Sequence, residues 1–185
     1  MGLGKTLQSI CILASAHHER DQRQESHIPS LIVCPPTLTN HWYHEINKYA
    51  NNLRPIIYSG PVKERRARLK RLKQFDIVIT SYDVVRNDLS SLVPINWLYC
   101  ILDEGHLIKN AKSKVSQSVK SMQAHHRLIL SGTPIQNNLL ELWSLFDFLM
   151  PGFLGNEAAF NERFVRPVAA SKDGKAGAKG AEAGQ

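Results

Sequence analysis

The chain has 185 residues, of which 43% are hydrophobic and 21% are charged, which allows one sizeable core and excludes a second full catalytic domain. The formal net charge of +7 favours a polyanionic partner such as nucleic acid, although such a balance more often serves solubility alone. No apolar run approaches the ~18 residues of a membrane span and no signal peptide begins the chain, so we expect a soluble intracellular protein.

Five short apolar segments, rich in β-branched residues, alternate with stretches of helical spacing. The predicted strands are 31–36, 55–59, 75–80, 98–104 and 126–132, each about the length of a strand buried on both faces. The predicted helices are 5–17, 40–50, 62–74, 111–124 and an apolar one within 139–155 that ends at Pro151 and Gly152. This alternation is typical of βαβ units, so we predict an α/β domain with a parallel sheet and flanking helices.

The composition changes at the carboxyl end. From Ala169 onward no aromatic or β-branched residue occurs. We therefore predict a domain over 1–168 and a disordered linker or loop fragment over 169–185.

The cysteines and two of the histidines offer little sign of metal binding. Cys11, Cys34 and Cys100 lie within or beside apolar runs at no metal-like spacing. We expect buried, reduced thiols and no zinc site. His41 and His44 have a metal-compatible spacing on one helical face, but without a third ligand nearby they are interpreted as surface or packing residues.

The opening stretch MGLGKT matches the last half of a phosphate-binding loop. The backbone of Gly2, Leu3 and Gly4 would approach the phosphates of ATP. Lys5 would neutralise the β and γ charges, and the Thr6 hydroxyl would bind Mg²⁺. A chance match in a glycine-containing turn is the alternative, because six residues alone are weak evidence.

Two adjacent acids end the predicted strand in CILDEGH. Asp103 would hold Mg²⁺, usually through water, and Glu104 would orient or deprotonate the attacking water. The alternative is an acidic first turn of a helix. For His106, hydrogen bonding between the acidic motif and a neighbouring strand is favoured over a role as a base or a metal ligand.

A third motif follows the last predicted strand in LILSGTPIQNN. Its residues Ser131, Gly132, Thr133 and Gln136 could bond to the acidic motif and couple the state of the nucleotide to a track. An ordinary turn from strand to helix is the alternative, since these residue types are common in turns.

The ordered set GLGKT, IVCPPTLTNHW, IVITSYD, LDEGH and LSGTPIQNN, followed by LLELWSLFDFLMPGFLG, resembles the first RecA-like lobe of the superfamily 2 helicase-like ATPases of the Swi/Snf chromatin-remodelling type. The resemblance covers residues 1 to about 168. It implies ATP with Mg²⁺, movement along double-stranded DNA without strand separation, and a nuclear location. Most such proteins have alanine where this chain has Gly105, and this difference is similar to the subgroup that removes TATA-binding protein from promoter DNA.

The resemblance also implies which residues contact DNA. The matching positions are Pro35, Thr37, Thr80, Ser81 and Tyr82, whose hydroxyls and loop amides suit phosphate oxygens. Trp42 could contact DNA or pack its helix on the sheet. The basic stretch 63–73, with seven basic residues and one acid, is interpreted first as a solvated helix face and second as a phosphate contact.

The motif set starts in mid-loop, so we expect a lobe truncated at its N-terminal strand. The arginines that complete the site are expected from a second RecA-like lobe, and the chain alone is expected to hydrolyse ATP negligibly. Two alternatives from other classes remain. One is a non-catalytic DNA-binding or protein-docking remnant of such a motor. The other is a small P-loop enzyme such as a nucleotide kinase, for which the complete loop and arginine-rich lid are not visible.

Overall fold

The computed structural model of the chain describes residues 3–133 and 138–170. Its strands are β1 (Ser30–Cys34), β2 (Pro55–Ile57), β3 (Ile77–Ser81), β4 (Asn96–Leu102) and β5 (Gln123–Ile129). They form one sheet in the order β2-β3-β1-β4-β5, and every neighbouring pair is parallel. The predicted α/β fold with a parallel sheet is confirmed.

Helices precede, connect and follow the strands. They are α1 (Leu3–Gln22), α2 (Thr39–Tyr49), α3 (Val62–Leu69), α4 (Tyr82–Asn87), α5 (Leu89–Leu92), α6 (Lys114–Lys120), α7 (Leu139–Leu149) and α8 (Glu157–Phe160), which continues into a π-helical turn at Asn161–Val165. Short 3₁₀ turns occupy Pro36–Leu38, Leu72–Gln74 and Gly105–Ile108. Among the described residues, no helix is both long enough and apolar enough to cross a membrane.

Both faces of the central strands are buried, which explains their nearly continuous apolar sequences. In β1 the side chains of Leu31 and Val33 join the core on one face, and those of Ile32 and Cys34 join the core on the other. Helices α1 and α2 cover the second face through Ile10, Leu13, Trp42 and Ile46. Residues of α4, α6 and α7 pack on the first face: Val84, Val85, Val119 and Phe148. The carboxyl ends of the strands therefore share one edge that the helices leave accessible.

Several predicted boundaries differ from the observed ones. Strand β5 begins at Gln123 because that residue pairs with Asn96 of β4, although three of the four residues from Gln123 to His126 are polar. The helix predicted over 111–124 is correspondingly reduced to α6. Of the predicted linker over 169–185, all but the first two residues lie outside the described ranges, and those two are helical.

The three cysteines do not share one environment. Cys34 and Cys100 are fully buried, and burial raises the pKa of each thiol to about 12. Cys11 is exposed, which corrects the expectation that all three are buried. The reason is helical periodicity, since Ile10 and Leu13 use the inner face of α1 and leave Cys11 on the outer one.

An ion pair between the buried Arg65 and the half-buried Asp88 anchors α3 to α4 and α5. The Arg65 guanidinium donates to both carboxylate oxygens of Asp88, at 2.7 and 2.9 Å, and to the Gly60 carbonyl at 2.6 Å. The Tyr58 hydroxyl also donates to Asp88, at 2.7 Å. The hydrogen bonds from Arg65, helped by that from Tyr58, lower the pKa of Asp88 from its ordinary value of 3.8.

We predict that Asp88→Asn lowers the free energy of unfolding at neutral pH by about 3 kcal/mol, because it leaves the Arg65 charge buried without its partner. Since the folded-state pKa of Asp88 is lowered, its contribution is complete above pH 3.8 and is lost as the pH falls through the folded-state value. Urea unfolding across an acid series checks both points. Asp83→Asn is the matched control, because its pair with Arg86 is exposed and is expected to contribute little. Equal effects of the two variants would contradict the prediction.

Candidate functional site

The first turn of α1 lies beside the carboxyl end of β5. Lys5 Nζ donates to the carbonyl of Ser131 at 2.7 Å, and Thr6 is 8% exposed. A Cβ atom added to Gly4 would meet nothing within 4 Å, so packing inside the lobe does not require glycine there. A helix N-terminus with an adjacent lysine suits a phosphate group. Gly2 lies outside the described residues, and Leu3 begins α1.

Asp103 follows the last residue of β4, and three neighbours hold it. Its carboxylate accepts from the Trp42 indole Nε1 and from the Glu104 amide, both at 2.9 Å. Its carbonyl accepts from the Tyr82 hydroxyl at 2.6 Å. Trp42 is fully buried, so the structure places it in the packing position that was one of its two interpretations. The carboxylate of Asp103 is thereby fixed at the edge of the sheet.

The backbone of Glu104 is in the left-handed helical region, at φ 54° and ψ 47°. A residue other than glycine pays about 1 kcal/mol or more for this conformation, and such residues are common at functional sites. The turn also ends β4 abruptly and begins the 3₁₀ turn at Gly105–Ile108. The two acids of the motif therefore project from consecutive positions at the strand end.

Polar contacts connect Glu104 to Lys5 through two intermediate residues. A carboxylate oxygen of Glu104 lies 3.3 Å from His106 Nδ1. The same nitrogen lies 3.4 Å from Ser131 Oγ, and the carbonyl of Ser131 accepts from Lys5. The structure thus brings together Lys5 of the predicted phosphate loop, the acidic motif and Ser131, which the sequence analysis singled out separately.

Ser131 also shapes the turn that follows β5. Its hydroxyl accepts from the Thr133 amide at 3.2 Å, while Gly132 is exposed with open space around it. Gln136, the last of the predicted coupling residues, lies outside the described ranges. The described part of this motif is therefore a serine-centred turn in contact with the acidic motif through His106.

Comparison with known proteins places this lobe in a family. A family model described as the SNF2-related domain matches residues 1–182. The chain belongs to the SNF2-related family.

Relatives and solved structures agree with this assignment. The chain is 58% identical over its whole length to TATA-binding protein-associated factor mot1 of Schizosaccharomyces pombe, and 53% identical to human TATA-binding protein-associated factor 172. It spans about a tenth of the length of each of these relatives. The SWI2/SNF2 ATPase core of Sulfolobus solfataricus, solved in complex with double-stranded DNA, superimposes with a TM-score of 0.79 at 35% identity, covering 92% of this chain and 34% of that one.

The glycine at position 105 of this SNF2-related lobe has a packing reason. Its amide donates to the Leu130 carbonyl at 2.8 Å, which brings the two backbones close together. A Cβ atom at Gly105 would overlap Ile129 Cγ2. The sequence showed glycine as a departure from the usual alanine, but the reason lies on β5 and is invisible without the fold.

Two of the segments expected to contact DNA in this SNF2-related lobe lie at the same edge of the sheet. Pro35 and Thr37 follow β1, and the segment 80–82 spans the end of β3, the strand that pairs with β1, and the start of α4. Thr37 is exposed and Pro35 is half-buried. These two positions are therefore available to a partner.

Thr80, Ser81 and Tyr82 are instead buried, and their hydroxyls already have partners within the lobe. Thr80 Oγ1 donates to the Tyr58 carbonyl at 2.8 Å. Ser81 Oγ accepts from the Val84 amide and caps α4. The Tyr82 hydroxyl donates to the Asp103 carbonyl. Burial raises the pKa of this hydroxyl above its ordinary value. These bonds engage all three hydroxyls within the lobe, and direct contact of these residues with DNA stays a prediction.

The basic stretch 63–73 divides into structural and exposed charges. Arg65 is committed to Asp88, and Arg68 donates to the carbonyls of Ile57 and Ser59, both at 3.1 Å. The remaining five basic side chains are exposed: Lys63, Arg66, Lys70, Arg71 and Lys73. The stretch is therefore an exposed basic face that Arg65 fastens to Asp88 and Arg68 fastens to the end of β2.

We predict that Gly105→Ala destabilises the lobe by about 2 kcal/mol, because the added methyl overlaps Ile129 Cγ2 and forces the turn or the strand to move. The measurement is the free energy of unfolding in urea. Gly132→Ala is the matched control, since a methyl group added there would have nothing within 4 Å, and little change is expected.

Ile129→Ala completes a double-mutant cycle for this contact. The loss of unfolding free energy in the double variant Gly105→Ala/Ile129→Ala should be about 1 kcal/mol smaller than the sum of the losses in the two single variants. Strict additivity, or a neutral Gly105→Ala, would show that the contact with Ile129 does not limit position 105.

Proposed function

We propose that the chain is the ATP-binding lobe of a DNA-dependent ATPase that translocates on double-stranded DNA and remodels protein–DNA complexes. The contacts from Lys5 through Ser131 and His106 to Glu104 carry this proposal, because they join a phosphate-binding group to an acidic group. Membership of the SNF2-related family supports it. Since the chain spans about a tenth of its relatives, the complete activity belongs to a longer protein.

Lys5 and Asp103 have bonding capacity left for their roles in the proposed nucleotide site. The Lys5 ammonium has three donors, one of which is used by Ser131, so the others can reach the β and γ phosphates. The Asp103 carboxylate accepts two hydrogen bonds and retains lone pairs for a metal-bound water. Thr6 and Asp103 would hold Mg²⁺, which when bound neutralises phosphate charge. Glu104, at the accessible edge, would orient or deprotonate the attacking water.

The turn after β5 would couple the state of the nucleotide to the contacts with DNA. Ser131 contacts both Lys5 and His106, so a change at either residue reaches the turn directly. Gly132, Thr133 and Gln136 complete the proposed coupling segment. On the DNA side, we assign direct contact to Pro35 and Thr37, with the exposed cations of 63–73 in support.

The names of the relatives indicate the wider role. The S. pombe and human proteins are TATA-binding protein-associated factors, and the S. solfataricus core was solved with double-stranded DNA. We infer that the longer protein acts in the nucleus, removes TATA-binding protein from promoter DNA, and includes a second RecA-like lobe that completes the nucleotide site.

A chimera tests this proposal in the setting of a whole relative. The chain replaces its matching segment in the S. pombe protein, to which it is 58% identical, and DNA-stimulated ATP hydrolysis and release of TATA-binding protein are measured. We predict that both activities are retained.

Glu104→Gln should reduce hydrolysis by about 100-fold or more while nucleotide still binds, because only the group acting on water is lost. Lys5→Ala should weaken nucleotide binding itself.

The isolated chain, measured in parallel, is expected to hydrolyse ATP negligibly. A chimera that retains DNA but neither binds nor hydrolyses ATP would favour the non-catalytic remnant and overturn the proposal. DNA-independent turnover by the isolated chain would instead favour a self-contained P-loop enzyme.

Tyr82 and Thr37 separate internal support from DNA contact in the same chimera. Tyr82→Phe removes the hydroxyl that bonds to Asp103 and should cost about 1 kcal/mol of stability with no change in DNA affinity. Thr37→Ala should weaken DNA binding without changing stability, because its side chain is exposed. The measurements are thermal unfolding and fluorescence anisotropy with labelled duplex DNA. Greater loss of DNA affinity in Tyr82→Phe than in Thr37→Ala would contradict these assignments.

A further inference from the structure

Two histidines and an aspartate meet at the amino edge of the sheet, opposite the proposed nucleotide site. His17 lies on α1, His27 precedes β1, and Asp76 precedes β3. One ring nitrogen of each histidine and one carboxylate oxygen of Asp76 all lie within 4.8 Å of one another. Within residues 3–133 and 138–170, no other group of three such side chains is this close.

Neighbouring contacts orient the members of this cluster. His17 is 5% exposed, and its Nε2 lies 2.9 Å from the hydroxyl of the fully buried Ser30. Asp76 uses one oxygen for His27 Nε2, at 2.9 Å, and the other for the Arg54 amide, at 2.7 Å. Metal-binding histidines and carboxylates are commonly held by such outer contacts.

The three groups have the chemistry of a transition-metal site. Neutral imidazole and carboxylate are standard ligands of Zn²⁺, at about 2.0–2.2 Å. His27 is exposed, so its ring can turn from Asp76 toward a shared ion while a fourth position stays open to water.

We propose that His17, His27 and Asp76 bind one divalent transition-metal ion of the zinc class. The ion would tie α1 to the starts of β1 and β3, and so brace the lobe at the edge farthest from the nucleotide. Because the ligands come from three separate parts of the chain, their spacing in sequence does not resemble a metal motif. The proposal stands independently of the proposed ATPase function.

Zinc binding by the full chain tests the proposal. Zn²⁺ is titrated in competition with a chromophoric chelator, and thermal unfolding is followed with and without Zn²⁺. We expect one bound ion and a rise in Tm, since a ligand that binds the folded state stabilises it. Co²⁺ in place of Zn²⁺ should give visible absorption from nitrogen and oxygen ligation.

His27→Ala and Asp76→Asn are the test variants, and His18→Ala is the matched control. His18 neighbours His17 on α1 but is exposed and outside the cluster. His27→Ala and Asp76→Asn should weaken Zn²⁺ binding about tenfold or more and abolish the rise in Tm, while His18→Ala behaves as the parent. Circular dichroism confirms that each variant is folded. The proposal fails if the parent takes up no Zn²⁺, or if His27→Ala retains the affinity and Tm shift of the parent.

Discussion

Two backbone hydrogen bonds at Leu130 hold the candidate site together. The Leu130 amide donates to the Leu102 carbonyl, and the Leu130 carbonyl accepts from the Gly105 amide, both at 2.8 Å. They extend the pairing of β4 and β5 past the end of β4 and fold the acidic turn back onto β5. The left-handed conformation of Glu104 and the absence of a side chain at position 105 both satisfy this close approach.

The sequence was informative where local chemistry determines structure. Apolar β-branched runs indicated the buried strands, because a parallel sheet covered on both faces needs little alternation. The motifs likewise indicated Lys5, Asp103 and Glu104, because few residue types can serve at these positions of a nucleotide site. The sequence prediction began β5 at residue 126 and not at Gln123. The first half of this strand, Gln123 to His126, is mostly polar and forms a strand only through pairing with β4.

Other features depended on contacts between distant parts of the chain. The inward position of Tyr82 and the packing of Gly105 against Ile129 involve partners on other strands, which no local pattern reveals. The exposure of Cys11 likewise depends on which side of α1 packs against the sheet. A tyrosine at a strand end can turn to a partner or to its own core, and its sequence neighbours do not decide between them.

The inward aromatic side chains link the two proposed surfaces of the lobe. Trp42 belongs to the helix that follows Pro35 and Thr37, and Tyr82 begins the helix after β3; both bond to Asp103. A buried indole or phenol usually has a hydrogen-bond partner, and here one acidic residue provides it for both Trp42 and Tyr82. Movement of either segment would therefore act on the residue proposed to hold magnesium.

Because only one of the three cysteines is exposed, the lobe has one site for thiol-specific labelling. Thiolates are the reactive form, and the two buried thiols, with pKa values of about 12, remain protonated at neutral pH. Cys11 alone faces solvent, on helix α1, which begins at the proposed phosphate-binding turn. A fluorophore attached there would report on the outer surface of that helix in the natural sequence, with no cysteine to remove.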